Sequence, residues 1–490
     1  MAVFVADILV KKSERGVAIL AGIAFLTLGA SGAATWFLSG FDSQLIFSGL
    51  IAHDALAIYF KWLFLAATAL AVWMAIPSKE IVPSRLGEYF ALLLTMCLGM
   101  NLMASSVDLL MVYLSLEMVS IVSYILAGYR RGDRRAAEAS LKYVIYGAVA
   151  SGIMLFGISY LYGLLGTTNL NLVQARLASF DGSNAGGQVA LLVTLVFVLS
   201  GVGYKVASVP WHMWCPDVYE GAPTPFTAFL SVAPKAAGFA VALRLFFGGM
   251  ASVPNGGLDQ MAKIAAGVPW PAVLGAVAAA TMTLGNLAAL NQNNLKRLLA
   301  YSSIAHAGYV MMGLASASNL GNQSVLVYLT FYLLMNIGAF LVVEMISRSG
   351  GSESIFEYRG LAKRAPFAAV AFAILLFSLT GLPPLAGFIG KFYLFYAVIQ
   401  KAGAAAATGD ATGWWALAVI GVLNSAVSLY YYARVVKAMF LEKGTEERPL
   451  EFPVSYTGML AGLTGLVVLF GIYWAPVSEA AANAIKAMAG

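Results

Sequence analysis

Charge is what this chain has least of: Asp, Glu, Lys and Arg together are 11% of its 490 residues, where soluble domains carry about 25%. With 60% hydrophobic residues there is too little polar surface for a water-soluble globule. The apolar runs repeat at about twenty residues, the length a helix needs to cross a bilayer and twice what a barrel strand needs. Cysteine is almost absent. Cys97 lies in an apolar run and Cys215 in a proline-rich stretch, which gives neither a disulfide framework nor a metal-ligand spacing. No Gly-x-Gly-x-x-Gly follows a strand, and Gly390-Lys391 lacks the upstream glycine of a phosphate loop. No redox cofactor or metal is expected to bind this chain. The net charge of +6 does not point to nucleic acid, because the basic residues fall between the apolar runs, where membrane topology accounts for them.

The expected fold is an all-α polytopic membrane protein with about fourteen spans in a single membrane domain over 1–490. Span 1 is partial, the ten residues before Lys11-Lys12, too short to cross and without a small-residue cleavage site. The others are read at 16–38, 53–76, 86–104, 108–128, 138–165, 188–209, 223–247, 269–290, 295–317, 322–347, 366–400, 412–441 and 453–475. Twenty of the 29 Lys and Arg residues follow odd-numbered spans, from Lys11 to Arg448. Only Lys61, Arg176, Arg244, Lys263, Lys401 and Lys486 fall on the other side. The positive-inside rule therefore puts the first set in the cytoplasm or an organelle matrix, with the C-terminus on the opposite face.

That bookkeeping leaves three basic residues, Lys205, Lys235 and Lys391, and all three lie inside spans. A lysine at the centre of a span costs ~3 kcal/mol on insertion scales. Lys205 runs into a break at Pro210-Trp-His-Met-Trp-Cys-Pro216, and Lys235 follows in span 8. Span 12, at 35 residues, would reach ~52 Å as one helix against a ~30 Å hydrocarbon core. It breaks at Gly381-Leu-Pro383-Pro384, and Lys391 follows. Spans 7 and 12 are each fourth in a block of five, 4–8 and 9–13. A block with an odd number of crossings must be inverted in its second copy, so inverted repeats are expected over 86–247 and 269–441, with a midplane ion site at the broken helices.

Two further polar residues lie at similar depth. Glu117 is nine residues into its span from Asp108, ~13 Å along the helix, and His306 is about eleven residues into span 10. Glu117, Lys205, Lys235, His306 and Lys391 thus form a candidate proton-transfer row. A lysine loses its proton more readily when a carboxylate partner withdraws, and histidine relays protons near neutral pH. Moving one charge against 100 mV needs about 2.3 kcal/mol, and nothing in the chain supplies it. Plainer readings stand beside these. A fixed ion pair would account for Glu117, a static counter-charge for Lys235, and helix packing for His306. His53 and His212 are expected at span ends, Glu344 at the interface, and Tyr430-Tyr431-Tyr432 in packing or an aromatic belt. Glu138 and Lys142, four apart, are expected to pair locally.

The stretch Gly203-Tyr-Lys205 through Pro210-Trp-His-Met-Trp-Cys-Pro-Asp217-Val-Tyr-Glu220-Gly-Ala-Pro-Thr-Pro225 resembles the signature of the antiporter-like membrane subunits of respiratory complex I. Asp217-Val-Tyr-Glu220-Gly-Ala-Pro223 with Ser231-Val-Ala-Pro-Lys235 is similar to the N-type subunits. Related M- and L-type subunits and Mrp antiporters usually have histidine where Lys235 falls. Leu116-Glu117-Met-Val-Ser120, Glu138-Ala-Ser-Leu-Lys142, Asn294-Leu-Lys296 through His306-Ala-Gly-Tyr309 and Gly387-Phe-Ile-Gly-Lys391 extend the resemblance over about 85–445. It implies that Glu117 modulates Lys205, that Lys235 and His306 join the two halves, and that Lys391 is the terminal carrier. It also implies a non-redox subunit of an NADH:quinone oxidoreductase in a bacterial inner membrane, with the C-terminus periplasmic. Its neighbours would be M-type and K-type subunits and lipid, and NAD, FMN, iron–sulfur clusters and quinone would sit in partner subunits. An Mrp-type cation/proton antiporter subunit is the alternative. The family's full-length first helix is matched here by only about ten residues, and the short tail beyond Trp474 leaves no room for the long lateral helix of L-type subunits.

Overall fold

The computed structural model describes residues 2–10, 13–179, 185–249, 251–252, 263–264, 269–406, 411–444 and 448–489; Lys11 and Lys12 of the topology argument lie outside them. Its helices are α1 (Ala2–Leu9), α2 (Glu14–Leu38), α3 (Ala55–Ala75), α4 (Leu86–Ser105), α5 (Leu109–Ala127), α6 (Arg134–Leu165), α7 (Leu170–Ala178), α8 (Ala185–Val206), α9 (Cys215–Gly221), α10 (Thr224–Leu230) and α11 (Ala233–Leu243). There follow α12 (Trp270–Leu290), α13 (Leu295–Ala315), α14 (Asn319–Arg348), α15 (Leu361–Arg364), α16 (Pro366–Thr380), α17 (Ala386–Ala406), α18 (Thr412–Leu441), α19 (Val454–Ile472) and α20 (Ala475–Ala489). Among the described residues, twelve helical stretches are long and apolar enough to cross a membrane. They are the expected spans 2–11, 13 and 14. Span 12 is present as α16 and α17, and span 1 as the eight residues of α1. The strands among the described residues form two short antiparallel pairs between helices, one of them pairing Gln44 with His53 and Ile46 with Ile51.

Polar caps set where the helices start. Asp54, Asp108, Asp133, Asn294 and Ser318 each accept from backbone amides of the first turn of α3, α5, α6, α13 and α14, satisfying donors the helix itself cannot. Burial then separates two classes of helix. α13 and α14 are buried almost throughout, whereas α6 and α18 keep large apolar side chains such as Val149, Phe156, Leu423 and Leu441 exposed, the stripe a lipid-facing helix presents. α12 and α13 lie unusually close. A Cβ at Gly285 would stand 2.6 Å from the Ala305 nitrogen, and one at Gly308 2.7 Å from the Met282 nitrogen.

The two expected breaks are present and end for different local reasons. α8 stops at Val206, and Ala207 takes a left-handed conformation (φ 59°) ahead of Pro210. α16 stops at Gly381 (φ 91°), whose amide bonds the Ser378 carbonyl while the Leu382 amide bonds that of Phe377, the glycine-terminated pattern that satisfies the last carbonyls. α19 closes over the second break, where a Cβ at Gly471 would stand 1.9 Å from the Pro384 carbonyl oxygen.

Three expectations need correction. Arg244, counted with the loop residues, is 4% exposed and forms a two-pronged pair with Asp54 at 2.8 and 2.9 Å. Glu344 does not reach the interface: it is 1% exposed, held inside the bundle because the turn between α3 and α4 docks over the end of α14, with Arg348 Nε bonding the Pro77 carbonyl at 2.7 Å. Lys296, counted as a loop cation, is fully buried, bonding the Ala222 carbonyl at 2.7 Å and Glu353 at 3.1 Å.

Candidate functional site

Lys205, the penultimate residue of α8, is 2% exposed, and its Nζ donates to Ser120 Oγ on α5 at 3.1 Å. Ser120 is one turn beyond Glu117, so the helix that carries the carboxylate also holds the lysine. Glu117 is not in contact: among the described residues it makes no ion pair within 4.0 Å, and its Oε1 is buried without a hydrogen-bond partner. Lys205 of α8 thus packs against α5 one turn from Glu117, without the close pairing that would lock both.

Lys235 opens α11 and is 3% exposed. Its Nζ donates to Ser303 Oγ on α13 at 2.6 Å and lies 5.6 Å from the Tyr219 ring centre. One turn beyond it, Gly238 lies against Lys205, where a Cβ would stand 2.8 Å from Val206 Cγ1 and 3.4 Å from Lys205 Cβ. This glycine sets how closely the two lysine-bearing helices approach. Gly238→Val is expected to destabilise the subunit by roughly 1–3 kcal/mol through overpacking. It should also lower turnover, whereas Gly152→Val, at an open position on α6, should change neither; thermal unfolding and quinone-reductase assays of the two variants check this.

α13 then carries the row onward. His306, one turn past Ser303 and 2% exposed, is held by hydroxyls on both ring nitrogens, Tyr328 on Nδ1 and Tyr432 on Nε2, the latter at 3.2 Å. Tyr432 also bonds Ser302. Another turn on, the Tyr309 ring lies 4.6 Å from Lys391 Nζ. Lys391, 2% exposed and early in α17, donates to the Thr380 carbonyl at 2.8 Å, freed by the break, and to Ser425 Oγ on α18 at 3.0 Å. Asn286 extends this network to Tyr309, Asn424 and Tyr431 at 3.2, 3.1 and 3.0 Å.

α13 thus brings Lys235, His306 and Lys391 onto one helix face, through Ser303, His306 and Tyr309. Lys205 meets Lys235 through the Gly238 contact, and Glu117 stands beside Lys205 without touching it. Lys142 pairs with Glu138 at 2.8 Å as expected, and also with Asp217 at 2.6 Å. With Arg297 on Asp217 and Glu220 at 2.7 and 2.9 Å, these pairs anchor the far half of the first broken helix. Burial favours a neutral Asp217, yet Lys142 and Arg297 outweigh it and hold the carboxyl below its ordinary range. Tyr328 and Tyr332 were not expected in the site, and Tyr431 and Tyr432 only in packing or an aromatic belt. A signal was there: Tyr328, Tyr332 and Asn336 recur every four residues, as do Asn424, Ser428 and Tyr432, marking one polar face on each of two apolar helices.

The family described as NADH:quinone oxidoreductase/Mrp antiporter, transmembrane, matches residues 106–426. An NADH-quinone oxidoreductase subunit N of Anaeromyxobacter is 56% identical over 97% of this chain and 92% of its own. A chain of respiratory complex I from Thermus thermophilus is 30% identical, with a TM-score of 0.70 over 95% of this chain and 92% of that one. A chain of the Mrp complex from Dietzia shares the fold, with a TM-score of 0.80 at 20% identity, covering 100% of this chain and 97% of that one. This chain, with its three buried lysines, therefore belongs to the NADH:quinone oxidoreductase/Mrp antiporter family of membrane subunits, and within it to the N-type.

Proposed function

We propose that the chain is the N-type subunit of an NADH:quinone oxidoreductase and carries protons across the membrane while quinone is reduced elsewhere in the complex. The observation that carries this is the α13 face, on which Ser303, His306 and Tyr309 span ~9 Å and touch Lys235, two tyrosine hydroxyls and Lys391 in turn. Two charges ~10 Å apart at an effective dielectric of ~20 interact by about 1.7 kcal/mol, more than a tenfold change in proton affinity. Lysines seated in sequence therefore hand protons along by changing each other's affinity. Glu117 sets the state of Lys205, Lys235 and His306 pass the charge between halves, and Lys391 delivers it. The redox cofactors and quinone belong to partner subunits. M-type and K-type neighbours flank the chain in a bacterial inner membrane, with its C-terminus periplasmic.

We propose further that 86–247 and 269–441 are inverted copies. In support, Asp108 and Asn169 form an isolated antiparallel bridge, with Leu109 N to Thr168 O and Leu170 N to Val107 O, both 2.9 Å. Asn294 and Ser354 form another, with Leu295 N to Glu353 O and Ile355 N to Asn293 O, both 2.8 Å. In each copy the bridge ties the cap of the second span to the loop after the third.

Lys205→Ala in assembled membranes is the test. Quinone reduction and proton pumping are expected to fall together by roughly tenfold or more, with the complex still assembled. Normal rates of both would remove the reading, and a protein never found in a larger complex would favour the antiporter alternative.

A further inference from the structure

The part of the row gathered on α13 begins at Lys235, and among the described residues no hydrogen-bonded route leads from Lys235 to the basic face of the bundle. One buried acid outside the row lies in that direction. Glu344, near the end of α14, accepts from Tyr456 Oη of α19 at 3.3 Å and faces the Ser78 hydroxyl, while its other oxygen is buried with no hydrogen bond within 3.5 Å. The charged and titratable groups that face it are Glu80 from the turn before α4, Lys296 at the start of α13 and Tyr456 of α19. Tyr89 of α4 faces both carboxylates, and its buried hydroxyl is also unpartnered. Among the described residues no cation lies within 4.0 Å of Glu344, so its carboxylate is costly to bury as an anion.

Glu80 differs from it. Its side chain is 11% exposed, its Oε1 accepts from Thr224 Oγ1 at 2.9 Å, and Arg130 stands 3.7 Å away. It is partly open to solvent and lies at the start of the helix pair α10–α11 that holds Lys235, where the Thr224 amide also donates to its Oε2. On the inward side, α14 places residues 344, 340, 336 and 332 along one face. Glu344 and Asn336 are ~12 Å apart on it. Asn336 donates to Ser231 Oγ at 2.6 Å, and the Ser231 carbonyl accepts from Ser303, the seat of Lys235. The buried Asn336 Oδ1 and Tyr332 Oη lack partners in the protein, as groups that bond water do. Between the two ends stands Phe340, its ring 6.1 Å from that of Tyr219, over which Lys235 sits.

We propose that Glu344 is the carboxyl that takes up the proton on the basic face, with Glu80 at its mouth, and passes it to Lys235 along the α14 face past Phe340. A proton from the aqueous phase protonates Glu344. It leaves for neutral Lys235 as the Phe340–Tyr219 contact opens to water, and Glu344 is then reprotonated through Glu80. This rests on the proton-translocation reading above, so its test runs beside that of Lys205.

Glu344→Gln, Glu344→Asp and Glu80→Gln are compared with Lys205→Ala in the assembled complex, by quinone reduction and proton pumping across a pH series. Glu344→Gln is expected to lower both by about tenfold and Glu344→Asp to recover at least half the loss. Glu80→Gln should shift the pH profile with a smaller loss. Normal Glu344→Gln turnover at every pH beside an impaired Lys205→Ala overturns this inference alone; normal rates in both remove the translocation reading as well. If Glu344→Gln fails to assemble, pH-difference infrared spectra of the wild-type and Glu344→Asp complexes decide. A carboxyl band that titrates and moves with the substitution supports the assignment, and identical spectra overturn it.

Discussion

Arg244→Leu is expected to cost the subunit roughly 3–5 kcal/mol, enough to lower its retention in the complex, because it strands the buried carboxylate of Asp54. The pair is bidentate and closed from water, the guanidinium 4% and the carboxylate 11% exposed. Burial pushes the Asp54 carboxyl up, but the Arg244 charge and its hydrogen bonds outweigh this and hold it below the ordinary aspartate range. Because the folded-state value is depressed, the stabilisation is full above the ordinary value near ~3.9 and is lost as pH falls through the lower folded value. Asp54 also caps α3 through Ala57 N at 2.8 Å, so the informative partner is Asp54→Asn, which keeps the cap acceptor and removes the charge. Thermal unfolding of the solubilised complex should place the Asp54→Asn/Arg244→Leu double variant well above Arg244→Leu alone. Equal midpoints for the two would mean that the stranded charge is not the cause. The pair matters beyond stability: Arg244 lies one residue past α11, so it ties the helix that holds Lys235 to the start of α3.

Lys391→Met should abolish most of the coupled turnover, on the order of tenfold or more, while assembly persists. Methionine matches the length of the stem and removes the titratable nitrogen. The stem is tightly seated, since a Cβ on Gly381 would stand 2.9 Å from Lys391 Cδ, so a larger replacement confounds packing with chemistry. The substitution leaves the Thr380 carbonyl with Ser425 Oγ at 2.9 Å as its remaining donor, a modest structural loss beside the chemical one. Pumping is measured with quinone reduction in sealed vesicles. Full pumping with Lys391→Met would place the exit of the row elsewhere.

Much of this molecule was legible in its residues because a bilayer punishes polarity so heavily. Lys205, Lys235 and Lys391 stood out once the other cations had been assigned to loops, and Gly381 and the prolines announced the breaks. Hydropathy is blind where charge is satisfied inside the fold. Arg244, Lys296 and Glu344 sit within a few residues of span ends, and hydropathy cannot tell a side chain that reaches the interface from one covered by a docked turn. The tyrosines were missed for a related reason: an aromatic residue suits a core, a belt and a hydrogen-bond network equally well, and only its neighbours decide.

The sequence by itself determined the membrane class, the spans, the two broken helices and the buried lysines, since each follows from local length, hydropathy or backbone chemistry. The tertiary structure alone decided that α13 brings Lys235, His306 and Lys391 onto one helix face, and that Glu117 stands off from Lys205. It likewise decided that Asp54 meets Arg244 and that Glu344 is closed in beside Glu80. These are contacts between residues far apart in the chain, made by helices whose mutual rotation and depth no local pattern encodes.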